Sequence, residues 1–248
     1  MATKLTGFPI LSGQDIATNS STQTMPIGTY METADGRGYR YAKNGAVATI
    51  AGKVYQSSAL DATNLQPAGS FLIVSAAVAA GATTVTCTNT GGSMTLAVNQ
   101  LAGGYLSVTS VDGAGYLYRI NGNAVAAAAA TATIYLEDPI VVALTTSSTV
   151  HLLKHPYDGT VVEPGTPTGM IVGVPNAIFT AAYYYWIQTF GTCSVLFTGT
   201  GVAGKAVGSL TGGTSGSMAP AIAATNIGGH NIYTSITGTY SAIYLTIH

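Results

Sequence analysis

Short runs in which apolar and polar residues alternate recur along the whole chain, each bounded by Gly, Asn, Asp or Pro. Period-two alternation is the mark of a half-buried β-strand. It predicts strands at residues 25–30, 39–41, 84–88, 105–108, 116–120, 133–136, 170–174, 183–187, 194–197 and 243–247. Met94, Leu96 and Val98 alternate with Thr95 and Ala97 in the same way. Asp35-Gly36-Arg37-Gly38, Asn44-Gly45, Asp112-Gly113-Ala114-Gly115 and Asn121-Gly122 carry the turn chemistry of tight hairpins. Pro139 interrupts a ladder, so its segment belongs on an edge or in a loop. The alanine run 126–130 is too short to hold a helix alone, and no amphipathic helix of useful length stands out. The expected fold class is therefore all-β.

Residues 1–24 read as an extended N-terminal arm, polar apart from Phe8-Pro9-Ile10-Leu11. The arm buries too little apolar area to fold alone. An internal echo organises the rest. Tyr39-Arg40-Tyr41-Ala42, followed by Ala51-Gly52-Lys53-Val54, resembles Tyr184-Tyr185-Trp186-Ile187, followed by Ala203-Gly204-Lys205-Ala206-Val207. The echo predicts one barrel- or sandwich-like module shared by residues 25–70 and 161–248. Residues 71–160 are then an inserted small β domain. Residues 163–167 read as a linker or ordered loop and 211–217 as a surface loop.

Composition changes this picture in one respect. Of 248 residues, 7% are charged, against roughly 25% in an ordinary soluble domain. The surface must be built from Thr, Ser, Asn, Gly and backbone, which gives little charge repulsion between copies. That favours a protein whose working state is an assembly. A formal charge of −1 offers no footprint for nucleic acid. No stretch reaches the ~18 apolar residues of a membrane span. Lys4-Leu5-Thr6-Gly7 does not open a signal peptide. Cys87 and Cys193 read as free, half-buried thiols.

Candidate chemistry is sparse. The nine acids are Asp15, Glu32, Asp35, Asp61, Asp112, Glu137, Asp138, Asp158 and Glu163. Asp35, Asp112 and Asp158 each precede Gly, where a short acid stabilises a turn. Glu137 and Asp138 are adjacent, and neighbours on a strand point to opposite faces, so they make a poor acid–base pair. His151 and His155 have a metal-binding spacing on a helix, but Pro156 and strand-like flanks remove that meaning. Gly199-Thr200-Gly201-Val202-Ala203-Gly204 fits a dinucleotide fingerprint without its acidic partner downstream, and reads as a hairpin connection. The expectation is no enzyme, no cofactor and no metal. The basic group Arg37, Arg40 and Lys43 reads as a solvated hairpin tip or as a contact for an acidic partner surface. The aromatic run Tyr183, Tyr184, Tyr185 and Trp186 reads as core on one face and interface on the other.

Several stretches together resemble decoration or minor structural proteins of tailed phages. They are Asp35-Gly36-Arg37 with Tyr39-Arg40-Tyr41-Ala42-Lys43, Ala79-Ala80-Gly81-Ala82-Thr83-Thr84-Val85, Asn99-Gln100-Leu101-Ala102-Gly103-Gly104-Tyr105-Leu106, Leu136-Glu137-Asp138-Pro139, residues 183–188, and Ala203-Gly204-Lys205-Ala206-Val207. The resemblance implies a virion protein on the capsid exterior, assembled in the host cytoplasm. It would bind the major capsid protein and its own copies, as a trimer, with no nucleic acid or membrane partner. On that reading Phe8, Ile10 and Leu11 form a clasp on a neighbour. Arg37, Arg40, Tyr183, Tyr184, Tyr185 and Trp186 are the remaining candidate contacts. The alternatives are a tail or fibre component and a carbohydrate-binding β module.

Overall fold

The computed structural model describes residues 15–59, 65, 72–89, 94–127, 130–222 and 226–247. Phe8, Ile10 and Leu11 lie outside these residues. The protein is all-β. Its strands, in chain order, are β1 (Tyr30–Glu32), β2 (Gly38–Asn44), β3 (Tyr55–Gln56), β4 (Leu72–Val74), β5 (Thr84–Asn89), β6 (Tyr105–Ser110), β7 (Leu117–Asn123) and β8 (Ala132–Leu136). There follow β9 (Thr149–Leu153), β10 (Asp158–Val162), β11 (Ile171–Gly173), β12 (Tyr184–Leu196), β13 (Ala206–Ser209), β14 (Ala219–Pro220), β15 (Asn226–Asn231) and β16 (Tyr240–Thr246).

The chain divides into two compact units. One is Met1–Ala59 with Pro156–His248; the other is Leu60–His155. In the second unit six strands close into a barrel in the order β4-β5-β8-β7-β6-β9. The reason is visible in the alternation. Leu72 and Val74, Val85 and Cys87, Leu106 and Val108, Tyr118 and Ile120, Ala132, Ile134 and Leu136, and Val150 and Leu152 all point inward and are buried. Met94, Leu96, Leu101, Ile140 and Leu144 join the same core. Each such aliphatic side chain contributes about 1.5–3 kcal/mol of burial, and closure removes every edge strand.

The first unit is a ten-stranded sheet among the described residues. Its order is β11-β3-β10-β2-β12-β16-β15-β13-β14, with β1 added onto β2. β10 pairs with β2 in parallel; the other pairings are antiparallel. The sheet folds over on itself. Val54, Ile171 and Val174, from one end of the strand order, share a core with Val207 and Met218, from the other end. The Val54 amide donates to the Gly216 carbonyl across the same closure, at 2.9 Å. β12 is the spine: its first half pairs with β2 and its second half with β16. The register shifts between Gln188 and Phe190. Gly191 follows at φ 82°, in the left-handed region where a side chain would be strained, and a Cβ there would lie 3.2 Å from Arg37 Cα.

Several local expectations are corrected. The strands expected at 183–187 and 194–197 are one strand of 13 residues, because the register shift at Gln188–Phe190 and the positive φ of Gly191 are accommodated within it. The first strand begins at Tyr30, not Met25; Pro26 has no amide to give, and residues 26–29 form a turn closed by the Thr29 amide on Pro26 O. Asn121-Gly122 lies inside β7 at a register shift between Ile120 and Gly122. Asp158-Gly159 opens β10 at another such shift. β10 belongs to the first compact unit, the second running from Leu60 to His155. The two echoed segments turn out to be neighbours: Tyr41 faces Trp186 and Ala42 faces Tyr185 across β2 and β12.

Ile134 has no solvent exposure and sits in the middle of β8. Ile134→Ala is expected to cost about 2–5 kcal/mol. A fall in the denaturant midpoint of the barrel's unfolding transition checks this.

Candidate functional site

The aromatic run on β12 splits by the pleat. Tyr185 and Trp186 are 1% and 3% exposed, so neither is available as a contact for another chain. Tyr185 packs against Phe179 and hydrogen-bonds the Thr160 hydroxyl at 2.8 Å. Trp186 meets Tyr41 edge-on at 5.1 Å. Tyr183 and Tyr184 are half-buried. Tyr184 stacks on Tyr41, and the Lys43 ammonium lies 5.5 Å from the Tyr184 ring.

What covers this face is the described part of the arm, on its own chain. Ser20 and Tyr184 exchange backbone hydrogen bonds at 3.0 and 2.8 Å, and the Thr24 amide donates to the Tyr41 hydroxyl. Ile16, Met25 and Met31 pack on Tyr39, Tyr41 and Trp186. Residues 15–24 thus serve as an internal cover. The apolar face that the sequence offered to a partner is satisfied within the chain.

The two arginines are also occupied. Arg40 donates to the Gly28 carbonyl at 2.9 Å and lies over the Tyr30 and Tyr157 rings. Arg37 donates through Nε to Asp35 at 2.7 Å and through Nη1 to the Tyr39 hydroxyl at 3.0 Å. These hydrogen bonds hold the Asp35 carboxyl below its usual range, with the Thr33 hydroxyl the larger cause and Arg37 next.

Beside Arg37 the first unit has a groove of about 440 Å³, lined by Arg37, Gly52, Asn176, Gln188, Thr192 and Tyr240, among others. It arises where β12 runs past the start of β2. Leu196 donates its amide to Gly52 O, away from β16. Thr192 and Ser194 share that orientation, because alternate residues of a strand point their backbone groups the same way. Their amides turn toward the groove. Gln188, 1% exposed, reaches back and donates to the carbonyls of Phe190 and Thr192 at 3.0 and 2.9 Å. Sequence reasoning missed this groove; its signal was the glycine-plus-polar composition of residues 188–194, which fits any strand.

Among the described residues, no three His, Cys, Asp or Glu side chains converge as metal ligands. Glu137 faces Arg119 at 3.4 Å. Cys87 and Cys193 are free and buried, and burial pushes both thiols up to about 12, which leaves them protonated and unreactive at neutral pH. Glu163 is the exception among the acids. It is 2% exposed, and its Oε1 has no hydrogen-bond partner among the described residues. Burial pushes its carboxyl up, while the nearby Ser209 hydroxyl pulls it partly back. No family model matches this chain, and neither the curated proteins nor the solved structures yield a match.

The raised carboxyl at Glu163 has a signed consequence. The folded state holds that proton more tightly than the unfolded chain does. This contribution is therefore full below the unfolded carboxyl range and is lost as pH rises through the folded value. Glu163→Gln is expected to raise the thermal midpoint at pH 7 and to flatten its decline between mildly acidic and neutral pH. Parallel melts of the two proteins across that range check it.

Proposed function

We propose that this chain is a non-enzymatic structural protein of a tailed-phage particle, a decoration protein that binds the capsid exterior across seams between capsomers. It acts as a homotrimer in contact with the major capsid protein. One observation carries the reading: an exposed surface of Ile and Tyr side chains on β15, β16 and the segment that joins them, beside β12. Ile227, Ile232, Tyr233 and Tyr244 are 60%, 46%, 48% and 41% exposed. Phe190 meets Tyr244 edge-on at 5.3 Å, and the Ala242 amide donates to the Tyr233 hydroxyl, which fixes Tyr244 against β12 and Tyr233 against β16. No Asp, Glu, Lys or Arg occurs in these strand segments.

A face rich in exposed Ile and Tyr, with the exposed His230 opposite Tyr244 as its ionisable group on β15, is costly to leave in water and offers little charge to keep like copies apart. Covering it with a second protein surface removes that cost. On a shell, internal pressure would have to re-expose the covered area before two capsomers could separate. Copies linked in a trimer hold more tightly than one copy, because each later contact is intramolecular.

Tyr244→Glu combined with Ile232→Glu is expected to leave the fold intact and to lower both trimer content and particle occupancy at least about tenfold. Sedimentation velocity and gel densitometry of purified particles measure the two. Removing residues 1–14 leaves Ile16 and the Ser20–Tyr184 bonds in place, so it tests the clasp made by Phe8, Ile10 and Leu11 alone; occupancy is expected to fall. DNA-filled heads carrying the protein should release DNA at a higher temperature than bare heads. Equal release temperatures, with the protein found on tails, would favour a fibre component instead.

A further inference from the structure

The groove beside Arg37 has chemistry that an assembly surface does not need. Its aromatic wall is Tyr240, which is 50% exposed. The inner side of that ring lies on Gly52: a Cβ at position 52 would stand 2.6 Å from Tyr240 Cε1. Gly52 also has φ 74°, a conformation that any other residue would adopt only under strain. The ring is therefore seated directly against backbone, with the rest of its surface turned outward.

The polar wall is rich in donors. Beyond the pairing of Phe190 with Gly38, Thr192 and Ser194 share the backbone orientation of Leu196, whose amide bonds Gly52 O, so their amides turn to the groove side of the strand. Arg37 and Asn176 add planar nitrogen donors. Two acceptors stand beside them: the Thr192 carbonyl, already bonded by Gln188, and the Ser194 carbonyl, which accepts a long contact of 3.6 Å from the Cys193 thiol. The charge of Arg37 is matched by Asp35 at 2.7 Å, so the groove as a whole is close to neutral. A small anion gains little there.

We infer that the groove between the end of the β1–β2 hairpin and Gly52 binds a neutral 2-acetamido pyranose, its apolar ring face on Tyr240 and its amide on the unpaired edge of β12. The acetamido carbonyl supplies the acceptor that a neighbouring strand would have offered to the Thr192 or Ser194 amide, and its N–H supplies a donor for the Ser194 carbonyl. Vicinal ring hydroxyls suit the planar side chains of Asn176 and Arg37, as a few placed polar groups in a concave site usually fix ligand orientation. This goes beyond the particle reading and does not need it, since the site lies within one chain.

The test uses the full chain and three sugars: N-acetylglucosamine, glucose and glucuronate. Saturation-transfer NMR is expected to give the strongest transfer to N-acetylglucosamine, with a dissociation constant of about 1–10 mM, as befits a small, single-ring ligand. Raising the salt to about 0.5 M should leave it unchanged, because no net charge is being matched. Tyr240→Ala should weaken it at least about tenfold, Tyr240→Phe should retain it, and Asn176→Ala should weaken it. Tyr135→Ala, on the barrel and outside the groove, should leave it unaltered. Absence of transfer to any sugar would overturn the inference. So would equal transfer in Tyr240→Ala with an unchanged melting curve. Salt-sensitive transfer confined to glucuronate would also overturn it, replacing the sugar site by an anion site at Arg37. None of these results bears on particle attachment, which is read separately on heads.

Discussion

Everything in the first unit depends on the backbone pairing of β12. Its first half bonds β2 and its second half bonds β16, so a single strand of 13 residues carries both halves of the folded-over sheet. The register shifts between those halves, next to the positive-φ Gly191, and the core that fills the fold includes residues from both ends of the strand order. Backbone groups buried without partners are costly, which is why the places where β12 loses a neighbouring strand are managed individually. Gly52 O takes the Leu196 amide, and the Gln188 side chain takes two carbonyls. The groove is what remains between these two repairs.

The strand-and-turn character was legible because period-two burial follows from the pleat alone. Val85 and Cys87, or Leu106 and Val108, could be assigned inward from the alternation, and both pairs are buried in the barrel. What alternation does not carry is which strands are neighbours. The turn chemistry of Asn121-Gly122 and Asp158-Gly159 could not be told from that of a bulge, because both ask for the same residues, and only the pairing of β7 with β8 and of β10 with β2 decides. The aromatic run at 183–186 was legible as half core. Its other face looked available because the residues that cover it, Ile16, Ser20 and Thr24, lie far back in the sequence within a polar stretch. The groove was illegible for a related reason: Arg37, Gly52, Asn176 and Tyr240 meet only through tertiary structure.

Low charge has different consequences in different places. Around β2 the few cations are absorbed internally, by Asp35, by the Gly28 carbonyl and by aromatic rings. On β12, β15 and β16 there is no charge to absorb, and Tyr and Ile side chains face outward. The same composition thus yields a closed aromatic layer under the N-terminal segment and an open one on the far strands. Buried Glu163, with an oxygen that has no hydrogen-bond partner among the described residues, stands apart from both. Its backbone carbonyl accepts from the Gly216 amide and the Ser215 hydroxyl, so the position anchors the 211–217 loop through main chain whatever its side chain does.

The pairing of β3 with β10 has a consequence for how such a chain can vary. Gln56 faces Val161 and Tyr55 faces Val162, so the sheet already holds together the two chain ends between which the six-stranded barrel is strung. Topologically the barrel occupies the place of a hairpin loop. Lengthening a loop whose ends are fixed adds only about 0.6 kcal/mol of closure entropy for each doubling. The host sheet is therefore nearly indifferent to what is spliced between β3 and β10. A short turn, a different barrel or a larger domain would strain it little, which makes this junction the natural point of exchange in the molecule.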